Sequence, residues 1–122
     1  MNEKVVFDDI DQPNCWSAIL ATGQCVYLAE RFGHIYNYNR YNHELFCVTQ
    51  NSPERGWTGL ALFNGDIYAC EFGGYIYKLS MATGGLEKMD FMKQNWTGLS
   101  GNAKQLYGCD RHGRVFLLID FK

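Results

Sequence analysis

Short runs of apolar and β-branched residues alternate with polar, glycine-containing turns along the whole chain. In the middle third, Trp57–Leu62 is largely apolar, Asn64-Gly65-Asp66 is a turn signal, and Ile67–Glu71 is rich in residues that favour strands. Gly73-Gly74 then supplies the positive φ that a tight hairpin needs, and Tyr75–Leu79 alternates as a third strand. The pattern predicts short antiparallel strands joined by hairpin turns.

This strand pattern occurs three times. Trp16, Trp57 and Trp96 lie 41 and 39 residues apart, and each opens the phrase Trp-Ser-Ala-Ile or Trp-Thr-Gly-Leu. Four further residue types stand at fixed distances after each tryptophan: the tyrosines Tyr27, Tyr68 and Tyr107, the acids Glu30, Glu71 and Asp110, the glycines Gly33, Gly74 and Gly113, and the aromatics Tyr36, Tyr77 and Phe116. Because matches at fixed offsets indicate structural repeats, we divide the chain into repeats 16–56, 57–95 and 96–122.

The first two repeats each end in a fourth predicted strand, at residues 44–48 and 87–91, whereas the third repeat stops before one. Residues 3–7 alternate in the same way, and they stand at the same distance before Trp16 as residues 44–48 stand before Trp57. We therefore expect residues 3–7 to supply the fourth strand that the third repeat lacks. Four-stranded repeats opened and closed in this way predict an all-β fold, a β-propeller built from four-stranded blades.

Three blades are too few to close a ring, because propellers typically have four to eight. The single domain that we predict for residues 1–122 must therefore find further blades in another copy of the chain. We expect a homodimer with six blades, in which residues 3–7 of one chain complete the blade begun by residues 96–119 of the other. A homotrimer with nine blades is the alternative.

Composition narrows the range of partners. The 122 residues hold 11 Lys and Arg against 13 Asp and Glu, a net charge of -2, with no basic cluster long enough to bind a phosphate backbone. No apolar run approaches the roughly 20 residues of a membrane-spanning helix, and the N-terminal segment is acidic and polar rather than a signal peptide. We expect neither nucleic-acid binding nor membrane insertion. The 5 cysteines form no C-x-x-C pair, which favours free thiols in a reducing cytoplasm or a virion.

Motifs for catalysis and for cofactors are lacking in the sequence. There is no phosphate-binding glycine loop, no His-Glu-x-x-His and no Gly-x-Ser-x-Gly. His34, His43 and His112 do not have metal-ligand spacing with one another or with a cysteine cluster. We therefore expect a non-enzymatic protein with no catalytic residue, no cofactor and no metal site.

The second repeat carries a family resemblance. Its phrase Trp57-Thr-Gly-Leu, followed by Asn64-Gly-Asp-Ile-Tyr-Ala-Cys-Glu-Phe-Gly-Gly-Tyr-Ile-Tyr-Lys, resembles tectonin-like propeller repeats and similar repeats in phage structural proteins. The resemblance covers nearly the whole chain. Similarity to tectonin-like proteins implies sugar or cell-surface binding, and similarity to phage proteins implies a virion or adsorption role. Neither resemblance implies a catalytic residue.

Repeated residues on one face of the propeller are the candidate ligand site. In a propeller, the connection from strand four to strand one and the hairpin from strand two to strand three emerge on the same face, which we call the blade-top face. It would carry the repeated tryptophans, the repeated acids and two arginines beside the acids: Trp16, Trp57, Trp96, Glu30, Glu71, Asp110, Arg31 and Arg111. Aromatic faces that stack on sugars and charged groups that bind hydroxyls are what a carbohydrate site needs.

A structural role for the same residues is the alternative. A tryptophan at the start of each blade can wedge between sheets as part of the core, and the acid can cap a hairpin or accept a neighbouring backbone N–H. The two roles lead to two hypotheses for function. The first is a lectin-like propeller that binds carbohydrate or a related surface ligand. The second is a structural or protein-interaction propeller, from a virion or from a designed or reconstructed fragment, in which the repeats serve ring closure alone.

Overall fold

The structure, a computed structural model, describes residues 3–5, 15–80 and 82–121, and those ranges contain eleven β-strands and no helix. The strands are β1 (Trp16–Ala21), β2 (Cys25–Glu30), β3 (Ile35–Asn39), β4 (Leu45–Cys47), β5 (Trp57–Phe63), β6 (Asp66–Gly74), β7 (Ile76–Leu79), β8 (Leu86–Lys88), β9 (Gln94–Gly101), β10 (Gln105–Asp110) and β11 (Val115–Asp120). The predicted all-β class is confirmed. A helix capable of crossing a membrane is likewise not found in these ranges.

The strands form three antiparallel meanders, which we number as blades. Blade 1 contains β1 to β4, blade 2 contains β5 to β8, and blade 3 contains β9 to β11. Blades 2 and 3 also join through a short pairing between β6 and β9, so both belong to one seven-stranded sheet. The first strand of each blade contains one of the repeated tryptophans, so the sequence repeat coincides with the blades.

Local chemistry explains the turns and the burial pattern of the strands. In the hairpin between β5 and β6, Asn64 and Gly65 have φ values of 51° and 81°, the left-handed backbone that a two-residue type I′ turn requires. Side chains on both faces of β5 are buried, whereas those of β1 alternate between half-buried and exposed. This difference is expected, because β5 belongs to a blade covered on both sides and β1 belongs to a blade at the end of the chain.

The hydrophobic core lies between the blades. One cluster joins blades 1 and 2 and includes Ile35 and Trp57, and a second joins blades 2 and 3 and includes Ile76 and Trp96. Each of these four side chains is at most 1% exposed, and full burial of an isoleucine side chain alone contributes roughly 1.5–3 kcal/mol. The fold is therefore stabilised mainly by stacking one blade on the next.

The two end blades leave apolar faces uncovered. Val115 on blade 3 is 75% exposed, whereas its equivalent on blade 2, Ile76, is 0% exposed. Tyr107 on blade 3 is 39% exposed, whereas its equivalent Tyr68 is 4% exposed. At the opposite end of the chain, Ile19 on blade 1 is 70% exposed. Equivalents of the residues that form the internal blade boundaries are thus exposed on two faces that no other described blade covers.

The fourth strand of blade 3 was expected from residues 3–7. In the described part of the chain blade 3 has three strands, with β11 at its outer edge. Residues 3–5 lie outside any strand, and Val5 is 75% exposed. Residues 6 and 7 lie outside the described residues. Since this strand is expected to pair with a second chain, a single chain does not test it.

Candidate blade-top site

Each repeated tryptophan lies opposite the repeated acid of its own blade. The cross-strand partners are Trp16 and Glu30 in blade 1, Trp57 and Glu71 in blade 2, and Trp96 and Asp110 in blade 3. The pairs stand at the end of each blade from which the hairpin between the second and third strands emerges. The residues that the sequence places on the blade-top face are therefore brought together, one pair to a blade.

The tryptophans of blades 2 and 3 are core residues. Trp57 is 0% exposed and Trp96 is 1% exposed. The Trp57 indole meets the Tyr77 ring edge-on, with centroids 5.8 Å apart, and its Nε1–H donates to the Gly33 carbonyl of blade 1 at 3.1 Å. Because their indole faces are covered by protein, these two residues cannot stack on a sugar. Their burial favours the wedge between sheets over ligand stacking.

Trp16 occupies the same place in blade 1 but is half-buried rather than buried. Its ring meets Tyr36 edge-on at 5.5 Å, the same arrangement as in blade 2. Burial, reinforced by the nearby Glu30 carboxylate, raises the pKa of Tyr36 to about 12. The difference between Trp16 and Trp57 therefore comes from the neighbouring blade and not from the residue's own blade.

The acids of blades 1 and 3 cap their hairpins. The Glu30 carboxylate, in a side chain that is largely buried, accepts the backbone N–H of His34 at 2.9 Å. Asp110 Oδ1 accepts the backbone N–H groups of His112 and Arg114, both at 3.0 Å, and Oδ2 accepts Arg114 Nε–H at 2.8 Å. Burial acts to raise the pKa of Asp110, but these hydrogen bonds and the Arg114 charge outweigh it and hold the pKa below its ordinary value. Both acids are thus used inside the protein.

Glu71 in blade 2 is held by side chains instead. Tyr77 Oη–H donates to Glu71 Oε1 at 3.0 Å, and Arg55 Nη1 lies 3.4 Å from the same oxygen. The Arg55 guanidinium also donates to Tyr77 Oη at 2.9 Å and lies 4.6 Å from the centre of the Tyr77 ring. Burial raises the pKa of Tyr77, and the bond to Glu71 raises it further. Arg55, which no repeated position in the sequence singles out, therefore completes a polar cluster with Tyr77 and Glu71.

The repeated glycine of blades 1 and 2 makes room for the acid. A Cβ at Gly33 would lie 2.2 Å from Glu30 Oε1, and a Cβ at Gly74 would lie 2.2 Å from Glu71 Oε1. In blade 3 the acid is the shorter Asp110, and nothing lies within 4 Å of a Cβ at Gly113. Glycine is required there for another reason, because its φ is 86°. The glycine and the acid are therefore one structural unit in the first two blades.

The two arginines predicted for the site lie at the exposed tips of the hairpins. Arg31 and Arg111 are both exposed, and the Arg31 guanidinium lies 5.6 Å from the centre of the Phe32 ring. Phe32 is 64% exposed, and Phe72, at the equivalent tip of blade 2, is 43% exposed. Of the predicted blade-top residues, the two arginines are thus the exposed ones. Phe32 lies beside Arg31, and Phe72 stands at the position that the arginines occupy in the other two blades.

A hydroxyl next to each tryptophan connects one blade to the next. A register shift falls at Ser17 in β1 and at Thr58 in β5, and such bulges re-aim a side chain. Ser17 Oγ–H donates to the Trp57 carbonyl at 2.6 Å, and Thr58 Oγ1–H donates to the Trp96 carbonyl at 2.7 Å. We call this contact the hydroxyl latch. Since both blade boundaries contain it, the latch is a repeated feature that a linear pattern does not reveal.

Clusters suited to metal binding do not occur in the described ranges, where no group of three or more His, Cys, Asp or Glu side chains comes together.

Comparisons with known proteins bear on the fold. No family model matches the chain, and no curated protein matches it. The computationally designed Ika4 protein is similar in structure, with a TM-score of 0.53 and 13% identity over 98% of this chain and 99% of that chain. The N-terminal domain of Nup159 has a TM-score of 0.52 and 18% identity, over 85% of this chain and 30% of that one.

The designed Ika8 protein is also similar, with a TM-score of 0.46 and 14% identity, and this chain spans 47% of its length. The two neighbours with TM-scores above 0.5 are a designed propeller-like protein and a β-propeller domain. At these identities the likeness concerns the fold alone. The chain therefore has a propeller-like fold, and the comparisons do not show a tectonin-like or phage-type protein.

Proposed function

We propose that the chain is a non-enzymatic, self-assembling propeller module, two copies of which close a six-bladed ring. The observation that carries this proposal is that the uncovered faces of blades 1 and 3 are the two halves of a boundary that already occurs twice inside the chain. A twofold arrangement that joins blade 3 of each copy to blade 1 of the other covers both exposed faces of each chain.

The apolar residues of the end faces support the proposal. Val115 and Leu117 on blade 3 are 75% and 52% exposed, and Val115 stands where blades 1 and 2 bury Ile35 and Ile76 against the next blade. On the facing surface of blade 1, Ile19 is 70% exposed and Trp16 is half-buried. Contiguous apolar faces of this kind mark interaction surfaces. Joining them continues the stacking that forms the core of the single chain.

The hydroxyl latch supports the same arrangement where blade 3 of one copy would meet blade 1 of the other. We call this contact the closing boundary. Thr97 occupies the position of Ser17 and Thr58, and like them it contacts its own blade, with Oγ1 3.4 Å from the Cys109 carbonyl. In the described part of the chain, Thr97 is exposed and has no carbonyl of a following blade within reach. In the closed ring its hydroxyl donates to the Trp16 carbonyl of the second copy.

The outer edge of β11 supports strand exchange at the same boundary. This edge carries backbone groups that no strand of the described chain pairs with, and an exposed edge is a template for an added strand. Residues 3–7 of the second copy are the strand that the sequence repeat assigns to this place. Their pairing with β11 completes a fourth strand and removes the open edge.

A disulfide test addresses the closing boundary directly. Phe72 and Asn95 are paired across the boundary between blades 2 and 3, and their equivalents at the closing boundary are Arg111 of one copy and Cys15 of the other. Directly paired residues are close enough for a disulfide. Cys15 is an exposed free cysteine, so the variant Arg111→Cys should form an intermolecular disulfide under mild oxidation.

Oxidation of the Arg111→Cys variant should give a covalent dimer. Light scattering on the unmodified protein should give a native mass near twice the 14.0 kDa of one chain. Two matched variants serve as controls: Arg111→Cys combined with Cys15→Ser, and Lys104→Cys at the opposite end of blade 3. Neither should cross-link. A native mass of three chains would replace the six-bladed ring with nine blades, and a monomer that does not cross-link would contradict ring closure.

Carbohydrate binding on the blade-top face is the second candidate. It is favoured by the exposed rings of Phe32 and Phe72, which lie at equivalent hairpin tips, and by the exposed Arg31 beside Phe32. Exposed aromatic faces next to charged groups suit sugars, and repetition around a ring strengthens weak contacts. A glycan screen with the unmodified protein and with Phe32→Ala tests this function. Binding that is lost in the variant supports it, and a screen without binding rejects it.

A further inference from the structure

The two blade boundaries inside the chain differ at their blade-top ends. Between blades 2 and 3 there is a cleft of about 280 Å³. It is lined by the tip of the β6–β7 hairpin, by the segment that leads into β9 and by the β10–β11 hairpin, through Gly73, Lys93, Gln94, Asn95, His112 and Arg114. The volume lies near the lower limit for ligand sites and suits a group the size of a monosaccharide.

An aromatic ring occupies the equivalent place between blades 1 and 2. Phe32 stands where Gly73 stands in the next blade, and Gly56 stands where Asn95 stands. A Cβ at Gly56 would lie 4.0 Å from Phe32 Cε1, so the ring leans over that glycine. Gly73 has no side chain, its φ of 71° disfavours any other residue, and Asn95 Oδ1 would lie 3.6 Å from a Cβ there. The cleft therefore exists because the second hairpin tip carries glycine.

The cleft is rich in hydrogen-bond donors and in positive charge. Arg114 and Lys93 are cationic, and the side chains of Gln94 and Asn95 add two amides. Arg114 Nη2 lies 2.7 Å from Asp110 Oδ2 and donates to Gln94 Oε1 at 3.0 Å, which fixes the guanidinium at the edge of the cleft. The Asp110 carboxylate is already occupied by Arg114 and two backbone N–H groups. None of the ion pairs among the described residues includes Lys93, so its charge is left to act on a ligand.

We propose that this cleft binds an oxyanion, a carboxylate, sulfate or phosphate group carried on a small molecule such as an acidic sugar. Cationic and amide donors that converge on one small volume recognise such a group by charge-assisted hydrogen bonds. All six lining residues belong to one chain. The site is therefore independent of ring closure, and it differs from the neutral sugar contact proposed for the phenylalanine tips.

Titrations monitored by amide NMR test the site on the intact chain. The probes are inorganic phosphate, glucuronate and, as the neutral match, glucose. Saturable shifts at Gly73, Asn95 and His112 are expected with phosphate or glucuronate and not with glucose. Shifts with phosphate alone identify a free phosphate site, and shifts with glucuronate alone identify an acidic sugar site.

Two variants with the same change of charge distinguish specific binding in the cleft from non-specific attraction of an anion to the charged surface of the protein. Lys93→Glu should weaken oxyanion binding more than about tenfold, which is the effect of losing one charge-assisted contact of about 1.4 kcal/mol. Lys104→Glu, on an exposed turn at the other end of blade 3, should change it less than twofold. Equal loss in both variants, shifts scattered over the surface, or glucose binding as tightly as glucuronate would overturn the proposal.

Discussion

The acid beside each blade-top hairpin is held by contacts inside the protein. Its carboxylate is bound by backbone N–H groups in blades 1 and 3 and by Tyr77 and Arg55 in blade 2. In blades 1 and 2 the neighbouring glycine leaves the space that the carboxylate fills. Residue by residue, the repeated polar groups thus stabilise the hairpins, and a ligand has to use the side chains at their tips.

Gly74→Ala tests the space beside Glu71. The added Cβ would lie 2.2 Å from Glu71 Oε1, so the carboxylate must move away from Tyr77 and leave buried polar groups without partners. We expect the free energy of unfolding to fall by about 1–3 kcal/mol in urea denaturation. Gly23→Ala is the matched control, because nothing lies within 4 Å of a Cβ there. It should be neutral or stabilising by up to about 1 kcal/mol, and an equal loss in both variants would refute the explanation.

Asp110→Asn tests the charge of the blade 3 acid. The pKa of Asp110 in the folded protein is below its ordinary value, so in acid the unfolded chain takes up the proton first. The stability from the carboxylate is therefore present above the ordinary aspartate pKa of about 3.9 and is lost as the pH falls through the folded value. The variant should be less stable than the unmodified chain at pH 7, and the gap should narrow in acid. A gap that stays constant down to the acid limit would contradict this account.

At the scale of the strands, the bulge in the first strand of each blade has the clearest consequence. It places a hydroxyl within reach of the next blade, and the latch at Ser17 and Thr58 differs from the site at Thr97 only in whether the same chain supplies a next blade. The bulge therefore joins two blades of the same chain in blades 1 and 2, whereas in blade 3 its hydroxyl is left exposed. In the proposed ring all three hydroxyls make the same contact.

Thr58→Val and Thr97→Val form a matched pair for this feature. Thr58→Val leaves the Trp96 carbonyl without its donor, so we expect a loss of about 1–3 kcal/mol in the free energy of unfolding at any protein concentration. Thr97→Val removes an exposed hydroxyl and should leave the stability of the single chain within about 0.5 kcal/mol. It should weaken the dimer instead, measured by sedimentation equilibrium or light scattering on dilution. If both variants affect only unfolding, the latch does not continue across the closing boundary.

At the scale of the whole molecule, the described residues form two boundaries between blades and leave two blade faces uncovered. The internal boundaries hold the core, and the ends expose equivalents of core residues such as Val115. A protein with two exposed apolar faces gains stability from any partner that covers both of them. A second copy does so with the same contacts that the chain already makes between its own blades.

Association of this kind makes thermal stability depend on concentration. Because the partner binds the folded chain and not the unfolded one, Tm should rise over about a hundredfold increase in protein concentration. Val115→Glu places a charge on the closing face and should make Tm independent of concentration while the far-ultraviolet spectrum stays β-type. A Tm of the unmodified chain that does not move with concentration would argue against the dimer.

Much of the fold could be predicted from local sequence. The predicted third strand of the middle repeat, residues 75–79, agrees closely with β7, and the predicted fourth strand at 44–48 contains β4. The sequence also predicted that the repeated tryptophans and acids lie on the same face, but not that they are cross-strand partners. The polar cluster of Arg55 with Tyr77, and the cleft beside Gly73, were not predicted, because each joins residues from different elements.

The sequence by itself determined the three antiparallel meanders, the hairpin turns and the length of the repeat, because alternation and turn residues act within a few positions of the chain. It did not determine which repeated residues face solvent. Trp16 and Trp57 open nearly the same phrase, yet one is half-buried and the other is 0% exposed. Only the tertiary structure decided between them, since the burial of a side chain on a sheet face depends on whether another blade covers that face.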